Sequence, residues 1–256
     1  MKAIGSKLRT GWLDKRLVSL ILGLTTVVLS CGDASVSVDT VVDPAGDGKE
    51  TFPLTVTDSS GTQLLIETMP QRIISYSPGA TEILFAIDSG NLIIATDRFS
   101  DYPSAALQLP KLEYLDPNPE AALAFNPDLV LMSGAQRSHL QQFRDLSMTV
   151  LLLEEADSLE TVFESILLLG TLTDNEPRAE SLELSMKTRI QTITDALVDI
   201  DQGPRVFYEL SADLYTVSPN TFIGGMLKLL KAQNVASGAE SPFPQLSVEA
   251  VLEADP

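Results

Sequence analysis

Side chains able to do covalent or acid–base chemistry are few and scattered along the 256 residues. His139 is the sole histidine, and its setting in QRSHLQQF predicts an exposed helix position rather than a proton relay. Asp97 and Asp101 could form a carboxylate pair, but their place beside SDYP suits a turn or the rim of a cleft. Gly224-Gly225 in FIGGM is a lone pair that fits close helix packing, and no GxSxG, GxGxxG or Walker-type loop occurs. Zinc or manganese capture needs several histidines among carboxylates, and one histidine does not supply them. Haem ligation has only His139, the methionines and the tyrosines to draw on. The inventory points to binding rather than catalysis, with no metal or cofactor required.

The single cysteine, Cys31, has a setting of its own. Lys7, Arg9, Lys15 and Arg16 precede an uncharged apolar run from Leu17 to Ser30, the pattern of a secretory signal peptide. The run is shorter than the roughly 20 residues that a spanning helix needs. It ends in VLSC, which resembles the bacterial lipobox, so Cys31 is expected to be the lipidated first residue of an exported protein. The mature chain would then contain neither a disulfide nor a tryptophan, since Trp12 lies in the leader.

Charge narrows the partners. With 35 Asp and Glu against 17 Lys and Arg, a formal charge of −18, the chain would repel a phosphate backbone, and nucleic acid is excluded as a partner. An acidic surface instead steers toward basic patches on other proteins.

The elements that must position any site are set by periodicity. Residues 1–30 read as the leader and 31–52 as a small, polar, acidic tether without lasting period. PLTVTDSSGTQLLIET predicts a hairpin around Asp58-Ser59-Ser60-Gly61. Strand patterns at 72–76, 91–96, 128–133 and 149–153 then alternate with helical patterns at 80–87, 120–125, 138–146 and 159–169. Such alternation predicts an α/β layer structure with a largely parallel sheet and a ligand crevice at its strand ends.

A longer helix is expected over Pro177–Asp199, with Ala179, Leu182, Met186, Ile190, Ile193 and Leu197 making one face buried along its whole length of roughly 35 Å. Beyond Gly203-Pro204 the pattern begins again, with RVFYE (205–209) as a strand and 221–230 as a helix. PEAALAFNP (119–127) is echoed without a gap by VEAVLEADP (248–256). The expected fold is therefore α/β, with a lobe at 53–173, a joining helix at 174–202, and a second lobe at 203–256 truncated at its C-terminus.

PQRIISYSPGATEILFAI, SDYP at 100–103, PNPEAALAFNPDLVLMSG, TFIGGMLKLLKAQNVA and SPFPQLSVEAVLEADP occur in that order. Together they resemble the cobalamin and ferric-siderophore class of ABC transporter binding proteins, from Phe52 onward. The resemblance implies two lobes joined by one long helix, a ligand held between them, and delivery to an ABC permease by a monomeric protein. It places the docking glutamates at Glu120 and Glu249, and ligand aromatics at Tyr102, Tyr114 and Tyr215, with Pro78 lining the cleft. Aromatic faces suit a flat corrin ring, so cobalamin is the expected ligand. Ferric siderophores are the alternative, and being often anionic they would call on Arg98 or Arg137. The resemblance also implies an extracytoplasmic location, with the anchor on the outer face of the cytoplasmic membrane or in the periplasm.

Overall fold

The structure is a computed structural model that describes residues 52–256 and the short strand β1 (Ser37–Asp39). The expected leader and the lipidation site Cys31 lie outside the described residues. β1 falls within the expected tether at 31–52, the rest of which, up to residue 51, lies outside the described residues. β1 pairs antiparallel with β2 (Leu54–Thr57), whose open backbone edge accepts three residues too few to show a period.

β2 turns into β3 (Gln63–Ile66) through residues 58–62, with Gly61 at φ +79°, a left-handed conformation that favours glycine. Asp58 organises this turn. Its carboxylate accepts from the backbone N–H groups of Ser60 (2.9 Å) and Thr62 (3.0 Å), from the Ser60 hydroxyl, and from Arg144 Nη2 at 2.6 Å. The hairpin is thereby tied to an element more than eighty residues away.

The main sheet contains β4 (Ile73–Ser75), β5 (Ile93–Asp97), β6 (Lys111–Leu112), β7 (Leu129–Met132) and β8 (Val150–Leu152) in the order β6-β5-β4-β7-β8, all parallel. Alternate residues serve opposite faces. Ile73, Leu129, Leu131 and Leu151 pack with helices α1 (Pro78–Ala86), α4 (Leu159–Leu172) and α5 (Glu176–Ala196). Ile74, Val130, Met132, Val150 and Leu152 pack on the other face with α2 (Pro119–Leu123) and α3 (Leu140–Asp145). Burial on both faces explains why these strands are uninterrupted apolar runs. The chain winds outward from β4 in one direction and then, through β7, in the other. The carboxyl ends of β4 and β7 thus flank a topological switch point.

Two expectations need correction here. Only Ala179 of α5 is fully buried; Leu182, Met186 and Ile190 are partly buried, and Ile193 is 47% exposed. The cause is length, because α4 spans 14 residues and α5 spans 21, so two antiparallel neighbours joined by a three-residue turn cannot match to the end. His139 is half-buried rather than exposed, closing a 3-10 turn (Gly134–His139) with Nε2 at 3.4 Å from Asp116.

A second, two-stranded parallel sheet pairs β9 (Arg205–Val206) with β10 (Gln233–Asn234), so RVFYE supplies two strand residues rather than five. Between them lies α6 (Phe222–Leu229), capped by the Thr221 hydroxyl on Gly224 N–H at 3.1 Å; α7 (Val248–Ala254) comes last. Of the two glycines in FIGGM, only Gly224 makes a close approach, and it meets a loop rather than a helix. A Cβ there would sit 2.0 Å from the Ser218 carbonyl oxygen, whereas Gly225 faces open space. Gly224→Ala is therefore expected to cost about 1–3 kcal/mol through forced backbone displacement, and Gly225→Ala to be neutral or stabilising. Urea denaturation of the pair checks the contrast.

The sequence echo is also a structural one. Glu120 and Glu249 each occupy the second position of a short helix, capped by Asn118 accepting from Ala121 N–H (2.8 Å) and by Ser247 accepting from Ala250 N–H (3.1 Å). Each helix is followed by a left-handed residue before a proline: Asn126 (φ 50°), two residues past the Ala124 cap of α2, and Asp255 (φ 47°), the cap of α7. An arginine clamps each end: Arg72 donates to the carbonyls of Asn126 (2.9 Å) and Phe125 (2.6 Å), and Arg205 to the Asp255 carboxylate (3.1 Å).

Candidate functional site

A cavity of about 580 Å³ opens at the carboxyl edge of the main sheet. Every strand lends it residues from just past its C-terminal end: Ser77 and Pro78 after β4, Tyr102 after β5, Tyr114 after β6, Ser133 after β7, and Leu153 to Ala156 after β8. The inner faces of α1, α4 and α5 complete the wall, with Met186 from α5 among them. A parallel sheet brings these distant segments together because every strand ends on the same side.

Local structure holds the wall in place. Ser77 caps α1 by accepting from Ala80 N–H at 3.3 Å, and Pro78 starts the helix where no backbone donor is needed. Gln136 is fully buried and fastens two wall segments at once. Its Oε1 accepts from Ser133 N–H and Ser133 Oγ, both at 3.0 Å, while Nε2 donates to the Tyr114 carbonyl at 3.0 Å. Tyr114 is further propped by Phe99, edge-on at 5.3 Å between centroids.

Three of the expected ligand residues, Pro78, Tyr102 and Tyr114, share this cavity. Tyr102 is 66% exposed at its mouth. The other two expected ligand residues do not line it. Arg98 pairs with Glu113 at 3.2 Å on the surface and lies over the Phe99 ring, so its guanidinium is engaged by an exposed carboxylate and an aromatic face outside the cavity lining. Tyr215 belongs to the second sheet's region, where it bridges to Gln245 and is exposed like Tyr208 and Phe243. Arg137 reaches Glu154 at 3.8 Å and the Ser59 carbonyl at 3.4 Å.

Sequence reasoning did not single out three acidic wall residues, Glu82, Glu154 and Glu155. Among the described lining residues there is no lysine, arginine or histidine. Glu154 and Glu155 lie directly after β8, so strand-end position was the signal that could have found them. Among the described residues, no cluster of three or more His, Cys, Asp or Glu side chains could hold a metal ion.

Glu120 and Glu249 are both exposed. Glu249 is held below the ordinary carboxylate range by its own backbone N–H and then by the Ser247 hydroxyl. Glu120 borders a polar groove with Asp116, Gln142 and Asp145.

Residues 73–256 match the family described as Periplasmic binding protein. A cobalamin-binding protein of Halobacterium salinarum is 32% identical over 212 residues, covering 80% of this chain and 57% of that protein. The chain thus spans little more than half the length of that relative. A Bacillus subtilis (strain 168) protein described as an ABC transporter substrate-binding lipoprotein is 30% identical over 242 residues, 91% of this chain and 76% of its own. Among solved structures, the periplasmic vitamin B12 binding protein of Vibrio cholerae superposes with a TM-score of 0.65 at 28% identity, covering 73% of this chain and 74% of that one. A periplasmic heme-binding protein from Roseiflexus sp. RS-1 gives 0.65 at 26% identity, with coverages of 73% and 74%.

Proposed function

From the premise that this chain belongs to the periplasmic binding protein family, we propose that it captures a corrinoid such as cobalamin outside the cytoplasm and delivers it to an ABC importer. The observation that carries the ligand class is the cavity wall, which sets Tyr102, Tyr114 and Pro78 beside Glu82, Glu154 and Glu155 with no cationic side chain. Aromatic faces supply large apolar contact to a flat macrocycle, and carboxylates accept hydrogen bonds from amide N–H groups such as those on a corrin rim. Arg137 offsets part of the Glu154 charge at 3.8 Å, and the remaining carboxylates, Glu82 and Glu155, repel an anion. This is the reverse of what a ferric siderophore, the second reading, or the propionates of haem would require. The names of the Halobacterium and Vibrio proteins, cobalamin and vitamin B12 binding, agree with this reading, while the Roseiflexus neighbour's heme binding makes haemin a necessary arm of its test.

In this reading residues 53–173 form one lobe, 174–202 the joining helix and 203–256 belong to the other, with Tyr215 facing the ligand from the second lobe. Glu120 and Glu249 dock on basic residues of the permease, and Cys31 carries the lipid anchor. Exposed ion pairs add little net affinity, so the value of the two lies in orientation: each carboxylate stands at the second position of a capped short helix whose far end is held by an arginine.

Isothermal titration tests the ligand. Cyanocobalamin is expected to bind saturably, and an anionic ferric siderophore and haemin weakly. Saturable binding of the siderophore alone would move the function to iron uptake, and of haemin alone to haem uptake.

A further inference from the structure

Tyr102 is carried by residues 98–110, the crossover between β5 and β6, and little apolar burial holds that segment. Ala106 is its one fully buried apolar side chain and Leu109 packs partly buried against the core at the segment's end, whereas Phe99 (55%), Tyr102 and Leu107, the residues around Tyr102, are exposed. The bonds that fix it are polar. At the start of β6, Lys111 Nζ donates to Thr96 Oγ1 at 2.8 Å, to the Ala106 carbonyl at 2.9 Å and to the Ser100 carbonyl. Three donors is the full capacity of an ammonium, and all three are spent on closing this loop. The acceptors flank Tyr102 on both sides in sequence.

A second set of bonds ties the same segment to the cavity wall. The fully buried Asp97 accepts from Phe99 N–H at 2.7 Å and from the Ser100 hydroxyl. Ser100 Oγ meets Thr81 Oγ1 at 3.1 Å, and Thr81 Oγ1 reaches Ser75 Oγ at 2.9 Å and the Ser77 carbonyl at 3.0 Å. Thr81 and Ser77 belong to the helix start that places Pro78, so Tyr102 and Pro78 are held in register by one network.

We propose that Lys111 is a positioning residue for ligand capture: its ammonium holds the 98–110 segment so that Tyr102 stands ready at the cavity mouth beside Tyr114. The proposal rests on the reading of this cavity as the ligand site. Lys111 does not line the cavity and acts through Tyr102. Without the ammonium the segment samples other conformations, and the apparent affinity falls by the fraction of molecules with Tyr102 in place. The hydrogen bonds lost are charge-assisted, which sets that fall at about tenfold.

The test is a double-mutant cycle on the full chain, with Lys111→Met, Tyr102→Ala and the combination titrated with cyanocobalamin. Hydrogen exchange of amides 98–110 is measured alongside in the unliganded proteins. The expected result is about a tenfold loss for Lys111→Met alone, little further loss when Tyr102 is already absent, and faster exchange confined to 98–110. An equal loss in both backgrounds, as general destabilisation would produce, overturns the proposal. Should the unaltered protein fail to bind cyanocobalamin, the ligand reading falls, and the exchange measurement decides the positioning by itself. Unchanged exchange at 98–110 in Lys111→Met overturns it.

Discussion

Replacing Asp58 with alanine is expected to lower the stability of the folded chain by about 3–5 kcal/mol, the range for removing one partner of a buried ion pair. The Asp58 side chain is 0% exposed, and Arg144 beside it is only 21% exposed. Alanine would remove the acceptor shared by the N–H groups of Ser60, Thr62 and Leu152 and by Arg144 Nη2, leaving the guanidinium charge only its neutral contacts to Thr62 Oγ1 (3.2 Å) and the Val150 carbonyl (3.4 Å). Urea denaturation followed by circular dichroism measures the loss, and a change below about 1 kcal/mol would show that these donors find other partners.

The pH dependence of the same group has a definite sign. Burial opposes ionisation of Asp58, but the hydrogen bonds from the Ser60 hydroxyl and from the Thr62, Leu152 and Ser60 N–H groups outweigh it and leave the carboxyl below its ordinary value. An unfolded aspartate titrates at about 3.9. A depressed native value means that the contribution is complete above that pH and is lost as pH falls through the native value. Acid unfolding should therefore move to lower pH when Asp58 is intact and become shallower in Asp58→Ala.

Removing both cavity tyrosines, Tyr102→Ala with Tyr114→Ala, should weaken cyanocobalamin binding by roughly 100- to 1,000-fold, since truncating a central aromatic anchor costs about 2 kcal/mol or more. Tyr102 is exposed, so its loss should leave the melting temperature unchanged, and the affinity change reports the contact itself. Tyr114 is half-buried against Phe99, and part of its effect should appear as local loosening. Conservative Tyr114→Phe keeps the edge-on contact and should retain most of the affinity. If the double variant binds as tightly as the unaltered protein, the ligand sits elsewhere, and the exposed Tyr208, Tyr215 and Phe243 of the second region become the place to look.

Much of this was legible in the sequence because it depends on neighbours in the chain. The apolar runs of β4, β7 and β8 marked a sheet buried on both faces, and alternation with helical periods marked it as parallel. Caps at Ser77, Asn118, Ser158, Thr221 and Ser247 are one-residue decisions made by short polar side chains. The echo of 119–127 in 248–256 proved to include the left-handed residue before each proline, a local preference of Asn and Asp.

Contacts between segments far apart were decided only by tertiary structure. Nothing near Asp58 in the chain announces Arg144, and nothing near Lys111 announces that its ammonium closes the loop carrying Tyr102. A long flexible basic side chain finds its acceptor in three dimensions, so sequence spacing leaves its partner open. Arg98 illustrates this from the other side: near Tyr102 in sequence, it pairs with Glu113 on the surface and leaves the cavity wall without a cation. The α5 face reads as buried throughout from its period, yet burial depends on the length of α4 beside it. Periodicity states which residues share a face, and only the neighbour's extent decides how much of that face is covered.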